Sequence, residues 1–257
     1  MANVSDTNMR LKSIMVMLLI PSIAALMVAG CSTIERKLLF FPTHEPHTNS
    51  LTPWIKYGKA IGYSRQVESP KNVWLMFHGN AGQASDRLYA MSCFSDSDSV
   101  YILEYPGYGN REGAPSKTSF NKAAQEAYLF LRELYPQIPV CVVAESIGSG
   151  PALSLACLDQ KPEKFVLIVP FDTLSSVAEE HFPAFLVWLV LRDNWNNVEA
   201  LSTYKGPVDI FGAERDEVIP IKHAKALAAS YPRSRLVIIR GGHNEWSYGG
   251  KVQIRNP

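Results

Sequence analysis

The sequence lacks a surplus of either positive or negative charge, and this excludes nucleic acid as a partner. The chain has 25 Lys and Arg residues against 24 Asp and Glu residues, for a formal net charge of +1 at pH 7. No stretch gathers its basic residues into the stripe that nucleic-acid binding requires. Fixed-period repeats and low-complexity tracts are also missing from the sequence, which excludes a solenoid and a disordered chain. We therefore expect a globular protein with no nucleic-acid partner.

Cysteine is scarce as well. Of the four Cys residues, Cys93, Cys141 and Cys157 lie in stretches predicted to be buried strand or helix. A buried free Cys behaves as a small hydrophobic residue, so we predict neither a disulfide nor a catalytic thiol. The fourth, Cys31, belongs to a different pattern near the N-terminus.

Residues 1–30 predict a signal peptide. Arg10 and Lys12 precede an apolar run from residue 13 to residue 29, which is the layout typical of the N-terminus of an exported protein. An uncleaved membrane-spanning helix is the alternative, because the run is nearly long enough to cross a bilayer.

The end of this run carries a second signal. Residues 28–31 read VAGC, which resembles the lipobox of bacterial lipoproteins. The resemblance implies cleavage before Cys31 and attachment of acyl chains to Cys31, and several chains hold a protein to a membrane far better than one. Because Ser32 rather than Asp follows, the resemblance further implies the periplasmic face of the outer membrane, within the cell envelope.

Six apolar runs are spread through residues 31–257, and each is continuous rather than alternating. Such runs are typical of strands buried on both faces, as in a parallel sheet with helices on both sides. Helical patterns separate the runs, and this alternation predicts one α/β domain with a mostly parallel, doubly wound sheet. Residues 40–68 predict loop and one or two antiparallel edge strands. The predicted strands are 72–77, 99–105, 139–145, 165–170, 207–212 and 235–240, and the predicted helices are 81–95, 116–135, 147–159 and 220–231.

A longer segment, residues 171–204, interrupts the alternation between the fourth and fifth predicted strands. It contains an apolar run at residues 182–191 that is too short to span a membrane. The run predicts either a helix packed into the core or a lid over a pocket. Its aromatic residues favour the core.

A serine follows the third predicted strand in a turn that suits a nucleophile. The string Ala144-Glu145-Ser146-Ile147-Gly148 is a G-x-S-x-G elbow whose first Gly is replaced by Ala. Such a turn is strained, so the residues two before and two after the serine must be small. A helix beginning beneath the serine helps to hold negative charge.

A nucleophilic serine needs a base, and the base needs an acid. His243 follows the last predicted strand and two glycines, and Asp216 follows the strand before it. The order Ser146, Asp216, His243 is the one found in α/β hydrolases. Asp172, just after the fourth strand, is a competing acid, and Glu214 is a lesser one.

Backbone N–H groups must hold the charge that develops on a reacting carbonyl oxygen. The string HGNAG at residues 78–82 follows the first predicted strand, where half of such an oxyanion hole is built in this fold. We predict the backbone N–H of Asn80 as one donor and that of Ile147, directly after the nucleophile, as the other.

From about Leu39 to His243 the sequence resembles the α/β-hydrolase superfamily, close to the abhydrolase-domain (Bem46-like) serine hydrolases. The resemblance implies esterase, thioesterase or lipase activity on a small acyl substrate, which includes lipids, with no metal or organic cofactor. Two departures are Ala144 in the elbow and a stretch after His243 that lacks the pattern of the final helix common in this fold. The strings that carry the resemblance are HGNAG at 78–82, EYPGYGNREGAPS at 104–116, AESIGSG at 144–150, ERDEVIP at 214–220 with His223, and GGH at 241–243.

The other histidines predict no metal site. His44 and His47 lie in a Pro-rich loop with no third ligand nearby, and a zinc site needs at least three protein ligands. We interpret His78 and His223 as structural residues.

Together these patterns predict a serine hydrolase that cleaves an ester or thioester through an acyl-enzyme. One alternative is a peptidase or amidase of the same fold, and another is a catalytically inactive lipoprotein that binds a partner. The sequence makes no prediction of oligomeric state.

Overall fold

A computed structural model describes residues 35–256, which form a mixed eight-stranded sheet with helices around it. The strands are β1 (Phe41–Pro42), β2 (Thr52–Lys56), β3 (Lys59–Arg65), β4 (Asn72–Phe77), β5 (Ala81–Gly82), β6 (Asp98–Leu103), β7 (Val140–Glu145), β8 (Phe165–Ile168), β9 (Val208–Ala213) and β10 (Ser234–Ile239). In the sheet they lie in the order β10-β9-β8-β7-β4-β6-β3-β2. The pairs from β10 to β6 are parallel, and β3 and β2 are antiparallel to their neighbours. Outside this sheet, β1 pairs with β5.

The α-helices within residues 35–256 lie in the segments that connect the strands. They are α1 (Lys117–Leu134), α2 (Ser149–Leu153), α3 (Leu174–His181), α4 (Ala184–Val190), α5 (Asn197–Leu201) and α6 (Ile221–Ser230). Residues 35–39 are also helical. Short 3₁₀ helices lie at Ala84–Cys93, Ser146–Gly148, Ser154–Cys157 and Tyr248–Gly250.

The longest helix, α1, shows why the sequence folds as predicted here. Ser116 caps it, and its hydroxyl accepts a hydrogen bond from the Ser119 amide at 3.1 Å. The apolar stripe that includes Phe120, Ala127 and Leu131 is buried against the sheet. The predicted mostly parallel sheet is confirmed, with the antiparallel edge strands in residues 40–68.

Two apolar cores cover the two faces of the sheet. The helices α1 and α6 pack on one face, and the 3₁₀ helix Ala84–Cys93 packs on the other. Residues 251–256 form no helix; instead Val252 and Ile254 are fully buried on the second face, and the Ile254 amide donates to the Cys93 carbonyl at 2.8 Å. The C-terminal segment therefore covers part of the second face without forming a helix.

Two predictions of burial are wrong. Cys157 is exposed at the end of its 3₁₀ helix. The run 182–191 is not packed into the core: it forms α4, in which only Val187 is buried, because a seven-residue helix that follows Pro183 touches the domain along one side only. The segment 171–204 does lie between β8 and β9, as predicted, and contains α3, α4 and α5.

The predictions for the N-terminus concern residues that come before the described part of the chain. The signal peptide at residues 1–30 and the acylated Cys31 lie outside the described residues, and both stay predictions. Between residues 35 and 256 the chain has no helix that combines the length and the apolar character needed to cross a bilayer.

Candidate active site

The turn after β7 holds Ser146 in a strained conformation. Ser146 has a φ of 54°, in the left-handed region that a non-glycine residue rarely adopts. Such strain persists where the surrounding structure enforces it, and it is common at active sites. Ser146 begins the helical run that continues through Leu153, so the N-terminus of a helix lies beneath its side chain.

Gly148 allows this turn to approach β4. A Cβ atom at Gly148 would lie 2.7 Å from each of the Phe77 and His78 carbonyl oxygens. Ala144 is fully buried and is the sheet partner of Phe77. The elbow therefore accepts Ala at the first small position, but the second has no space for a methyl group.

We expect Gly148→Ala to lower the free energy of unfolding by about 1–3 kcal/mol, because the added methyl group would have to displace two backbone carbonyls. Urea denaturation measures the change. Gly79→Ala is the matched control, because a Cβ there would meet Glu145 at an ordinary distance of 3.5 Å. Equal stability of the Gly148 variant and the wild type would contradict this steric account.

Three side chains from separate loops form one chain of hydrogen bonds. His243 Nε2 lies 3.0 Å from Ser146 Oγ, and His243 Nδ1 lies 2.8 Å from Asp216 Oδ2. The His243 side chain is one-tenth exposed and that of Asp216 is almost fully buried. The structure thus brings together the three residues that the sequence predicted as a triad.

The loop after β9 fixes the carboxylate of Asp216. Its second oxygen, Oδ1, accepts hydrogen bonds from the amides of Val218 at 2.9 Å and Ile219 at 2.7 Å. With both oxygens engaged, the carboxylate cannot rotate away from His243. It is therefore set to hold one tautomer of the imidazole.

The competing acid, Asp172, belongs to a different pair. Its Oδ1 accepts a hydrogen bond from His223 Nδ1 at 2.8 Å, and its backbone carbonyl accepts one from the Asn197 amide at 2.8 Å. Glu214, the lesser rival, is exposed. The structure places neither of them on His243.

The predicted oxyanion loop lies against the elbow. The contact between Gly148 and the carbonyls of Phe77 and His78 brings the start of the HGNAG string next to the residue two positions after Ser146. The Asn80 side chain points elsewhere, since its Nδ2 donates to the Leu39 carbonyl at 3.2 Å. The backbone carbonyl of Asn80 accepts a hydrogen bond from Tyr108 Oη at 2.8 Å. This hydrogen bond fixes the loop to Tyr108.

Ile147, the second predicted donor, lies in the 3₁₀ turn Ser146–Gly148 and is buried. Its amide belongs to the residue directly after Ser146, at the start of the helical run. Ile147 is therefore the chain neighbour of the serine, Asn80 lies two residues after His78, whose carbonyl approaches Gly148, and the catalytic role of both stays a prediction.

His78 packs under this loop. It is fully buried and lies against the ring of Tyr105 at a centroid distance of 4.3 Å. Its Nε2 lies 3.5 Å from Glu104 Oε1. These contacts agree with a structural role.

The sequence interpretation missed Glu145, the residue before the serine. This carboxylate is buried and connects three parts of the site: Oε2 accepts from the Gly79 amide at 3.4 Å and from Tyr89 Oη at 3.3 Å, and Oε1 accepts from Trp246 Nε1 at 3.2 Å. Burial and then the charge of Glu145 raise the pKa of Tyr89, so the phenol keeps the proton that it donates. Its partners lie 66, 56 and 101 residues away in sequence, which is why no local pattern revealed it.

A cleft of about 420 Å³ opens beside His243. It provides space for a substrate next to the imidazole. Its lining is Arg215, Glu217, Val218, Gly242, His243, Asn244 and Glu245.

The other histidines stand apart from this site. His44 is exposed and bonds to the Gly109 carbonyl, and His47 stacks on Tyr63 at 4.5 Å. Across residues 35–256 no group of three His, Cys, Asp or Glu side chains is arranged to hold a metal ion.

Comparisons with known sequences place the chain among hydrolase-fold proteins. No protein-family model matches it. An uncharacterized protein of Mycobacterium tuberculosis is 26% identical over 87% of this chain and 87% of its own length. Protein Bem46 of Schizosaccharomyces pombe is 27% identical over 60% of this chain and 55% of its own. Lysophosphatidylserine lipase ABHD12 of Danio rerio is 26% identical over 65% of this chain and 49% of its own.

Solved structures give the same fold. Est1E of Butyrivibrio proteoclasticus, solved with ferulic acid, has a TM-score of 0.60 and 15% identity, over 73% of this chain and 88% of its own. The esterase Pf2001 of Pyrococcus furiosus has a TM-score of 0.59 and 12% identity, over 80% of this chain and 91% of its own. The chain therefore has the α/β-hydrolase fold and homologues named Bem46 and ABHD, and these similarities support a hydrolase.

Proposed function

We propose that this chain is a serine hydrolase that cleaves an ester or a thioester through an acyl-enzyme. The observation that carries the proposal is the unbroken series Asp216–His243–Ser146, with contacts of 2.8 and 3.0 Å. Its members follow β9, β10 and β7 at the carboxyl ends of the strands, where open α/β sheets bind ligands. The hydrolase homologues support it.

The first half of the reaction transfers the acyl group to the serine. His243 Nε2 removes the proton from Ser146 Oγ, which attacks the carbonyl carbon of the substrate. The oxyanion that forms accepts hydrogen bonds from the backbone N–H groups of Asn80 and Ile147. The carbonyl then re-forms, the bond to the alcohol or thiol breaks, and His243 gives the leaving group its proton.

The second half returns the enzyme to its first state. His243 removes a proton from a water molecule, whose oxygen attacks the acyl-enzyme carbonyl. The bond to Ser146 Oγ breaks, Oγ regains a proton from His243, and the carboxylic acid leaves. Throughout, Asp216 keeps the imidazole oriented and stabilises its positive charge.

A fluorophosphonate probe tests the proposal, because it reacts only with an activated serine. The full chain in detergent is treated with the probe beside Ser146→Ala and His243→Ala, and mass spectrometry locates the label. We expect labelling at Ser146 that both substitutions abolish. A folded wild-type protein that takes up no label would overturn the hydrolase and favour an inactive binding protein.

Substrate panels then separate the reaction classes. Acyl esters and thioesters of graded chain length are compared with aminoacyl anilides at equal concentration. We expect the esters or thioesters to give the larger kcat/KM. Faster cleavage of the anilides would identify a peptidase or amidase instead.

A further inference from the structure

The helix α4 leaves an apolar surface uncovered. Phe185 is 67% exposed and Trp188 is 83% exposed. A helix that is apolar all round is normally buried, and a contiguous exposed apolar patch marks an interaction site. The members of this surface, the α4 face, are Leu38, Phe182, Phe185, Leu186, Trp188 and Leu189.

A groove of about 310 Å³ runs between α4 and the helical residues 35–39. Its walls are apolar except for Glu35, so it has no cationic side chain to bind an anionic ligand. The lining residues are Glu35, Leu38, Leu39, Ala178, Phe182, Leu186, Val187, Val190 and Leu191.

Glu35 fixes the start of the described chain to the end of α4. Its Oε1 accepts hydrogen bonds from the backbone amides of Arg192 at 2.6 Å and Asp193 at 2.7 Å. The apolar run of residues 13–29 ends six residues before Glu35, and six residues span at most about 20 Å. Any membrane attachment through that run or through Cys31 therefore holds the α4 face close to the membrane.

Charge beside the α4 face suits a phospholipid. Arg36, Lys37 and Arg192 are exposed at its edge, and each basic residue near an anionic lipid surface contributes about 1 kcal/mol. Trp188 at its centre is of the residue type enriched where headgroups meet acyl chains.

The α4 face also leads to the candidate active site. His181, the last residue of α3, donates from Nε2 to the Val218 carbonyl at 3.0 Å, and α4 begins three residues later. Val218 lines the cleft beside His243. A short connection therefore joins the α4 face to the wall of the cleft.

We propose that the α4 face docks on a phospholipid bilayer, with Phe185 and Trp188 in the interfacial layer, and that it presents the cleft beside His243 to that bilayer. This goes beyond the proposed hydrolysis, and the binding does not depend on it. The occupant is the lipid surface rather than a second protein chain, because the apolar sequence that is predicted to direct the chain to a membrane ends at most six residues before Glu35.

Tryptophan fluorescence provides the test. The chain has five Trp residues, of which Trp54, Trp74, Trp195 and Trp246 are buried. The full chain is reconstituted in phosphatidylcholine–phosphatidylglycerol vesicles whose acyl chains carry bromine near the headgroup. The emission of Trp188→Phe, subtracted from that of the wild type, isolates Trp188. We expect bromolipid to quench about half of the Trp188 emission, since interfacial side chains lie within about 5–10 Å of the acyl boundary, and iodide in the water to quench little.

Two other results would overturn the proposal. If iodide but not bromolipid quenches Trp188 in a vesicle-bound protein, then the chain is attached to the membrane but the α4 face does not dock on it. Trp188 shielded from both quenchers, with a second copy found by crosslinking, would show that this surface is a dimer interface.

Activity gives an independent readout. In the double variant Phe185→Ser, Trp188→Ser we expect hydrolysis of a water-soluble ester to be unchanged, because both side chains are exposed. We expect hydrolysis of a bilayer-embedded ester to fall about tenfold, which corresponds to a loss of about 1.4 kcal/mol in membrane binding. An equal loss on both substrates would contradict docking. If the wild type cleaves neither ester, the proposed function fails, and the quenching result still decides the docking.

Discussion

Asp216→Asn is expected to lower kcat about 10⁴-fold, while Asp172→Asn leaves kcat nearly unchanged. Asp216 Oδ2 accepts a hydrogen bond from His243 Nδ1, and an amide in its place can donate to that nitrogen and stabilise the wrong tautomer. The imidazole then presents an N–H rather than a lone pair to Ser146. Steady-state hydrolysis of a soluble ester measures the loss.

The chain supplies its own matched control for this experiment. Asp172 and His223 form a second carboxylate–imidazole pair with the same 2.8 Å separation between Oδ and Nδ1, but neither side chain forms a direct hydrogen bond with Ser146 or His243. Asp172→Asn therefore tests the loss of a partly buried pair without loss of the triad, and circular dichroism verifies that both variants fold. A large loss of kcat in Asp172→Asn with an active Asp216→Asn would reverse the assignment of the acid.

Asp209→Asn is expected to lower the free energy of unfolding by about 3–5 kcal/mol at pH 7, because it would leave a buried Lys without its partner charge. Asp209 Oδ2 lies 2.8 Å from Lys164 Nζ, and both side chains are at most one-tenth exposed. Arg235, on the neighbouring strand, forms two hydrogen bonds of 2.9 Å to the same carboxylate. Urea denaturation measures the difference.

The pH dependence of this loss has a definite sign. Burial by itself would raise the pKa of Asp209, but the hydrogen bonds from Arg235 and Lys164 outweigh it and hold the pKa below its ordinary value of 3.8. A carboxylate with a lowered pKa stabilises the fold above its unfolded pKa and loses that effect as the pH falls through the folded one. The difference between wild type and variant should therefore be full at pH 7 and should shrink below about pH 3.8.

Arg235→Gln is the control for that variant. Its side chain is 66% exposed, and exposed ion pairs contribute about 0.2–1 kcal/mol. If Arg235→Gln lowers the free energy of unfolding as much as Asp209→Asn does, then the ion pair with the exposed Arg235, not the one with the buried Lys164, provides the stabilisation.

The parallel sheet could be predicted because burial on both faces forces continuous apolar runs. The run of β7, for example, is buried at all six positions, and its sequence has no polar alternation. The edge strand β10 shows where this reasoning weakens. Its residues 236–239 are as apolar as those of a central strand, yet Ile238 is half exposed, and within the described residues no α-helix follows β10.

Hydrophobicity alone could not place α4. An apolar helix packs into the core or onto a partner outside the chain, and the sequence is the same in both cases. The position of α4 depends on whether the domain has a free apolar surface against which the helix can pack. That in turn depends on contacts from other elements, such as the helical residues 35–39.

In the candidate site, the position of a residue directly after a strand was enough to predict the three triad residues. It was not enough to predict the hydrogen bonds that hold them. Ser146, Asp216 and His243 each follow a strand, so parallel pairing brings them to one edge of the sheet. Asp172 follows a strand as well, and only three-dimensional geometry separates it from Asp216. Glu145 gave no signal, because its contacts depend on partners from three segments that are distant in sequence.

The C-terminal segment on the second face has a consequence for the order of folding. Asn256 Nδ2 donates to Asn72 Oδ1 at 2.8 Å, across a separation of 184 residues, and Ile254 binds beside Cys93. These residues are synthesised after every strand of the sheet, and closing so long a loop is entropically costly. A nascent chain can therefore pair its strands and assemble the core under α1 while the opposite core is still open. We therefore expect the second core to close after the first, and its apolar surface to stay exposed to aggregation until residues 252–256 have bound.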